Sequence, residues 1–204
     1  MRLGIKTTFT LLLTIAAVSC SSAVAQPPAQ PAATSNEPYR VELAVGYTYV
    51  HSNAPPGSCA CFNMNGGNAT FGWQLKPGRF ALVGDLNIAH AGTVSPSGYS
   101  LTLSTFTVGG RYLLPLRHSG LQPFGHALVG LAHSSGTLVQ GSNPGAGNAG
   151  AAFAGNFGGG LDLRATPRFS LRLVEADYLL TTFDNGSSDH QNNLRISAGI
   201  VFRF

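Results

Sequence analysis

The chain has 204 residues and only 10% of them are charged, against roughly a quarter in an ordinary soluble domain. The 12 basic and 8 acidic residues give a net charge of +4, but Arg2 and Lys6 lie in an N-terminal leader, and without them the charge is +2. The basicity is therefore mostly a property of the leader, and no nucleic-acid partner is expected. No segment after the leader is a continuous apolar run long enough for a transmembrane helix.

The chain begins with a basic "MRLGIK", continues with the apolar "TTFTLLLTIAAVS" and reaches small residues at Ala23 and Ala25. That is the pattern of a cleaved secretory signal, which we assign to residues 1–25. A lipoprotein signal using Cys20 ranks second, because Ala17 is a poor substitute for the Leu usual at that position. Residues 26–38, "QPPAQPAATSNEP", have no periodicity and read as a disordered Pro/Ala-rich leader. The folded domain is expected over 39–204.

From there the chain alternates apolar and polar residues with a period of two, the mark of strands whose two faces meet unlike environments. "RVELAVGYTYVH" sets Leu43, Val45 and Tyr47 against Arg40, Glu42 and Thr48. "NATFGWQLK" sets Phe71, Trp73 and Leu75 against Thr70 and Gln74. "RFALVGDLNIAH" and "STFTVGGRYLL" follow the same rule, with Asp85 and Arg111 on their polar faces. "QPFGHALVGLAH" is apolar on both faces, and its orientation stays open. "AFAGNFGGGLDLR" places Asp162 opposite Leu161 and Leu163. In "RFSLRLVEADYLLT" the apolar face changes parity midway. One extra residue near Leu173 or Val174, a β-bulge, would return Glu175 and Asp177 to the face of Arg172. The last strand sets Leu194, Ile196, Ile200, Phe202 and Phe204 against Arg195, Ser197, Gly199 and Arg203. These are eight strands.

The links between strands alternate longer and shorter, beginning with the long "SNAPPGSCACFNMNGG" and the tight "KPGR". Outer-membrane barrels have short periplasmic turns and longer extracellular loops. The C-terminal run, with Gly199, Phe202 and Phe204, resembles the signal by which bacterial outer-membrane barrels are recognised for assembly. From about Tyr39 to Phe204 the chain resembles the small outer-membrane β-barrel family of the OmpA/OmpX type. The resemblance implies an all-β fold, an eight-stranded antiparallel up-and-down transmembrane β-barrel in the cell outer membrane. It also implies contact with outer-membrane lipid and insertion by the barrel assembly machinery. It implies no reaction and no cofactor.

In such a barrel the apolar faces meet lipid. Tyr47, Tyr49, Phe71, Trp73, Tyr178 and Phe183 are expected near the loop ends, and Phe80, Tyr112, Phe169, Phe202 and Phe204 near the turn ends, as two aromatic girdles. The polar faces hold Arg40, Glu42, Asp85, Arg111, Asp162, Arg172, Glu175, Asp177 and Arg195. An eight-stranded barrel has interior room for side chains and little else. Buried charges of both signs should therefore pair in a closed ionic interior, a reading preferred to a narrow channel.

Cys59 and Cys61, in "SCAC", are expected to form a local loop disulfide in an oxidising compartment rather than a metal site. The rim residues His51, His90, His133, Ser134 and Ser135 are the candidates for a lipid-modifying hydrolase. His133 and the adjacent Ser134 would face opposite sides of a strand, and the Asn that follows the Ser in known lipid A deacylases is missing. A structural or surface-interaction protein acting through its loops is the preferred reading, with no catalytic site. A soluble barrel enclosing an apolar ligand ranks lower, since its outer wall would need more charge.

Overall fold

The computed structural model describes residues 40–52, 61–76, 79–92, 94, 100–114, 116, 120–136, 151–183 and 189–204. The assigned signal and leader, 1–38, lie outside the described residues. Eight antiparallel strands follow in chain order: β1 (Val41–Ser52), β2 (Phe62–Lys76), β3 (Phe80–Ala91), β4 (Leu101–Leu113), β5 (Leu121–Ser135), β6 (Ala151–Arg164), β7 (Phe169–Thr181) and β8 (Gln191–Arg203). Each pairs with its chain neighbours, and β8 returns to β1, so the sheet closes into a barrel. Closure satisfies the backbone polar groups that an open sheet edge would leave bare.

Alternation decides which side chain goes where. Along β1, Glu42, Thr48 and Val50 are buried while Leu43, Val45 and Tyr47 are exposed, and β3, β4 and β8 repeat this inside-out distribution. The outer wall is apolar and the interior polar, the reverse of a water-soluble barrel. β5, unresolved in the sequence, turns Phe124, His126 and Leu128 inward and Ala127, Val129 and Leu131 outward.

The bulge expected in β7 is present. Arg172 pairs with Gly199 and Glu175 with Ser197, so two residues of β7 oppose one of β8. Leu173 and Val174 both face outward, and Arg172, Glu175 and Asp177 all face inward. At the turn between β6 and β7, the amides of Ala165 and Thr166 both donate to Phe169 O, at 3.1 and 2.9 Å.

Two expectations are corrected. β2 starts at Phe62, well inside the segment read as a loop, because Phe62–Gly67 pair residue by residue with Tyr47–Ser52. As a result Trp73 lies opposite Val41, and Phe71 and Trp73 belong to the turn half of the wall. Phe183 joins no outer girdle; it packs against an apolar cluster at the loop end of the barrel interior. Near the turn end, Phe80 meets Tyr112 at 4.9 Å between ring centroids, and Phe169 meets Phe202 edge-on at 5.8 Å.

The seam between β1 and β8 depends on a close approach. Gly46 and Gly199 are directly paired there, and a Cβ on Gly199 would lie 2.2 Å from Val45 O. No side chain fits in that space.

Candidate functional site: the barrel interior

Inward-facing positions of six strands, all but β2 and β5, bring the charged groups together. Nearer the turn end, the Arg111 guanidinium donates to Glu42 Oε1 at 2.6 Å and Arg203 Nε donates to Glu42 Oε2 at 3.1 Å. Arg172 donates to Asp162 Oδ1 at 3.0 Å and to Glu175 Oε2 at 2.7 Å, and reaches Glu42 at 3.5 Å. Arg203 also donates to Asp162 at 3.3 Å and to the Ser170 hydroxyl. The ring of Phe124 lies between two guanidiniums, with Arg111 Cζ at 4.5 Å and Arg172 Cζ at 4.6 Å from its centroid, a favourable cation–π arrangement.

Further toward the loops, Arg195 donates to Asp85 at 2.5 Å, Glu175 at 3.0 Å and Asp177 at 2.8 Å. Glu175 thereby joins the two groups, with one carboxylate oxygen on each arginine. Thr70 donates to the second oxygen of Asp85 at 3.1 Å. His126 Nε2 sits 3.1 Å from Asp177 Oδ1, off the line of a good hydrogen bond, with its ring stacked near Phe124. His126, Glu175 and Asp177 could approach one metal ion. Glu175 and Asp177 are already engaged by arginines, so the donor set does not favour a cation there.

Above Arg195, Asn193 accepts from Ser52 and donates to Leu179 O at 2.9 Å. Beyond it the interior becomes apolar: Val50, Phe62, Met64, Ala89, Leu103, Ala132 and Leu179 pack together. From turn end to loop end, the interior therefore runs from ion pairs through neutral polar side chains to an apolar plug.

Of the residues named from sequence, Glu42, Asp85, Arg111, Asp162, Arg172, Glu175, Asp177 and Arg195 are buried and mutually connected. Arg40 is not among them. It is exposed, and its amide donates to Phe204 O at 2.9 Å, because it precedes the first residue of β1. Arg203 and His126 belong to the interior and were absent from the sequence-based set. Arg203 shares the parity of Arg195 and could have been found by extending the alternation. His126 gave no such signal, since its strand is apolar on both faces.

Phe202 faces outward against Phe169, and Phe204 is 71% exposed. Cys61 is exposed; Cys59 lies outside the described residues, and the expected disulfide with it. His51 and His90 sit on the outer face and hydrogen-bond Asn63 at 2.7 Å and Thr102 at 2.9 Å. Neither partner is the carboxylate that orients a catalytic base. His133 and Ser135 share the outer face, and Ser134 points the other way. Near the loop end, exposed Asp189 has its carboxyl held below the usual range, chiefly by the hydrogen bond from His190.

An apolar wall around a salt-bridged interior, closed strand to strand, defines an outer-membrane β-barrel protein. The family model for the outer membrane protein beta-barrel domain matches residues 13–204, and the chain belongs to that family. Its place is the outer membrane, in contact with lipid. No curated protein matches the sequence. Among solved structures it is similar to Neisserial surface protein A, NspA, at 14% identity and a TM-score of 0.58, covering 80% of this chain and 97% of that one. It is also similar to Ail, the attachment invasion locus protein of Yersinia pestis, solved in complex with the heparin analogue sucrose octasulfate. There the identity is 14%, the TM-score 0.53, and the coverage 81% of this chain and 99% of that one. At these identities the likeness concerns the fold.

Proposed function

We propose that this protein is a non-conducting outer-membrane barrel whose loops engage other surfaces, and that it performs no chemistry of its own. The observation that carries the closed interior is its filling: ion pairs toward the turns and the Val50–Phe62–Met64–Leu179 plug toward the loops. Charges of both signs saturating one another leave no lining of one sign along which an ion could pass. The interaction role rests on the loop sequences, rich in Gly, Ser and Asn, and on structural likeness to proteins named for the cell surface and for attachment.

The same reading takes residues 1–25 as the export signal, 26–38 as a spacer and 59–61 as a small disulfide loop. Gly199, Phe202 and Phe204 act as the element presented to the barrel assembly machinery. Phe202 and Phe204 project to one side and suit two pockets beside a captured strand.

Cells displaying the protein should adhere to host-type or matrix surfaces better than cells displaying a version with residues 137–150 replaced by a two-residue turn. Equal adhesion overturns the interaction role. The purified protein in planar bilayers should show no stepwise conductance, and regular single-channel steps overturn the closed interior.

A further inference from the structure

The outer wall is not uniformly filled. On β2 the outward positions between Asn65 and Phe71 are Gly67 and Ala69. Gly67 is flanked in register by Tyr47 on β1 and Ile88 on β3, and Ala69 by Val45 and Leu86. The small residues form the floor of a groove, and Val45, Leu86 and Ile88 form its banks. Its volume is about 520 Å³, and its lining includes Val45, Gly67, Ala69, Leu86 and Ile88, with Asn65 and His90 at the loop end. That volume lies within the range of small-molecule sites, roughly 300–1,000 Å³.

The groove is chemically polarised. Its sides are aliphatic, and Phe71 is the next outward residue of β2 toward the turns. At the other end Asn65 and His90 are cross-strand partners. Tyr47 Oη donates to Asn65 at 2.5 Å, and His90 lies 2.9 Å from the Thr102 hydroxyl. A hydrogen-bonding cluster thus sits at the loop end of an apolar trough that is continuous with the lipid-facing wall. Strands are spaced about 4.8 Å apart, so the gap between the banks on β1 and β3 is about two spacings, less the side chains. That width suits one polymethylene chain better than the side-chain-bearing wall of a second barrel.

We propose that this groove is a lipid site. It holds one acyl chain of an outer-leaflet lipid along Gly67 and Ala69, with the hydrogen-bonding headgroup of that lipid at Asn65 and His90.

The test fills the trough from its floor. A Cβ at Gly67 would meet Gly46 O at an ordinary 3.4 Å, so Gly67→Leu leaves the strand pairing intact. Gly110 also faces outward, and a Cβ there meets nothing within 4 Å, so Gly110→Leu is the control away from the groove. The full protein and both variants are assembled in cells and extracted in detergent. Heat-dependent gel mobility verifies folding, and native mass spectrometry measures co-purified lipid. Wild type and Gly110→Leu should retain one lipid, and Gly67→Leu should retain about tenfold less. Ala69→Leu should act like Gly67→Leu and serves if that variant folds poorly. Equal lipid retention in all forms, or none in wild type, overturns the proposal. So does a wild-type dimer that Gly67→Leu converts to monomer with lipid unchanged, which would assign the groove to a second copy.

Discussion

Arg195 places one guanidinium among three carboxylates, Asp85, Glu175 and Asp177, with 0% of its surface exposed. Removing the cation leaves Asp85 and Asp177 without their arginine in the barrel interior, while Glu175 keeps only Arg172. Arg195→Met should therefore destabilise the barrel by about 3–5 kcal/mol, read as a lower urea midpoint for protein refolded in lipid. Arg195→Lys keeps the charge but not the planar fork that meets several carboxylates at once, and should fall between the two. Gly199 is explained by the finished fold itself, whatever its part in assembly. The 2.2 Å approach to Val45 O means that Gly199→Ala must shift β8 away from β1. The variant should melt clearly below wild type, and an unchanged melting temperature would show that the seam relaxes without cost.

Among the elements, β7 shows how a bulge converts sequence into side-chain placement. Deleting Val174 removes the extra residue, and Arg172, Leu173 and Glu175 then alternate regularly, so Glu175 and Asp177 stay inward beside Arg172 and Arg195. The single deletion should therefore keep the heat-modifiable gel shift, whereas deleting Leu173 and Val174 together, which sets Glu175 directly after Arg172 and turns it and Asp177 toward lipid, should abolish it. The bulge was legible from sequence because two acids out of phase with a strand need a cause. The start of β2 was not legible. "FNMNGG" lacks β-branched residues, and what extends it is pairing with a full-length β1, a partner-dependent effect that no local propensity reports. β5 was ambiguous for a related reason: its inward residues include Phe124 and Leu128, which pack on arginine planes and on Ala81 and Val83 inside the barrel.

Over the whole molecule, the charge pattern announced an inside-out barrel, since few charges with near-equal signs suit a packed polar interior. The apolar plug was hidden, because residues such as Met64, Leu103 and Leu179 lie on faces that elsewhere carry polar side chains. At the opposite end, the Phe204 backbone is tied to β1, with its carbonyl accepting from Arg40 and Val41 and its amide donating to Val41 O at 2.9 Å. Phe204→Ala keeps those bonds and removes only a mostly exposed ring, well short of the roughly 1.5–3 kcal/mol attached to full burial. It should reach the outer membrane of cells in reduced amount yet melt near wild type after refolding. Normal insertion with a large loss of stability would make Phe204 a packing residue instead.

The closed strand order also sets a timetable. Seven of the eight strand pairings join consecutive strands and can form as hairpins; the last joins β1 to β8, bringing Glu42 beside Arg203. Local pairings meet little loop-closure entropy, whereas the final one must gather almost the entire chain first. Refolding should accordingly show an early phase of strand formation and a slow phase of closure. Substitutions along β1–β8 would then change the rate of the slow phase, and equivalent ones within β2–β3 would leave it nearly untouched.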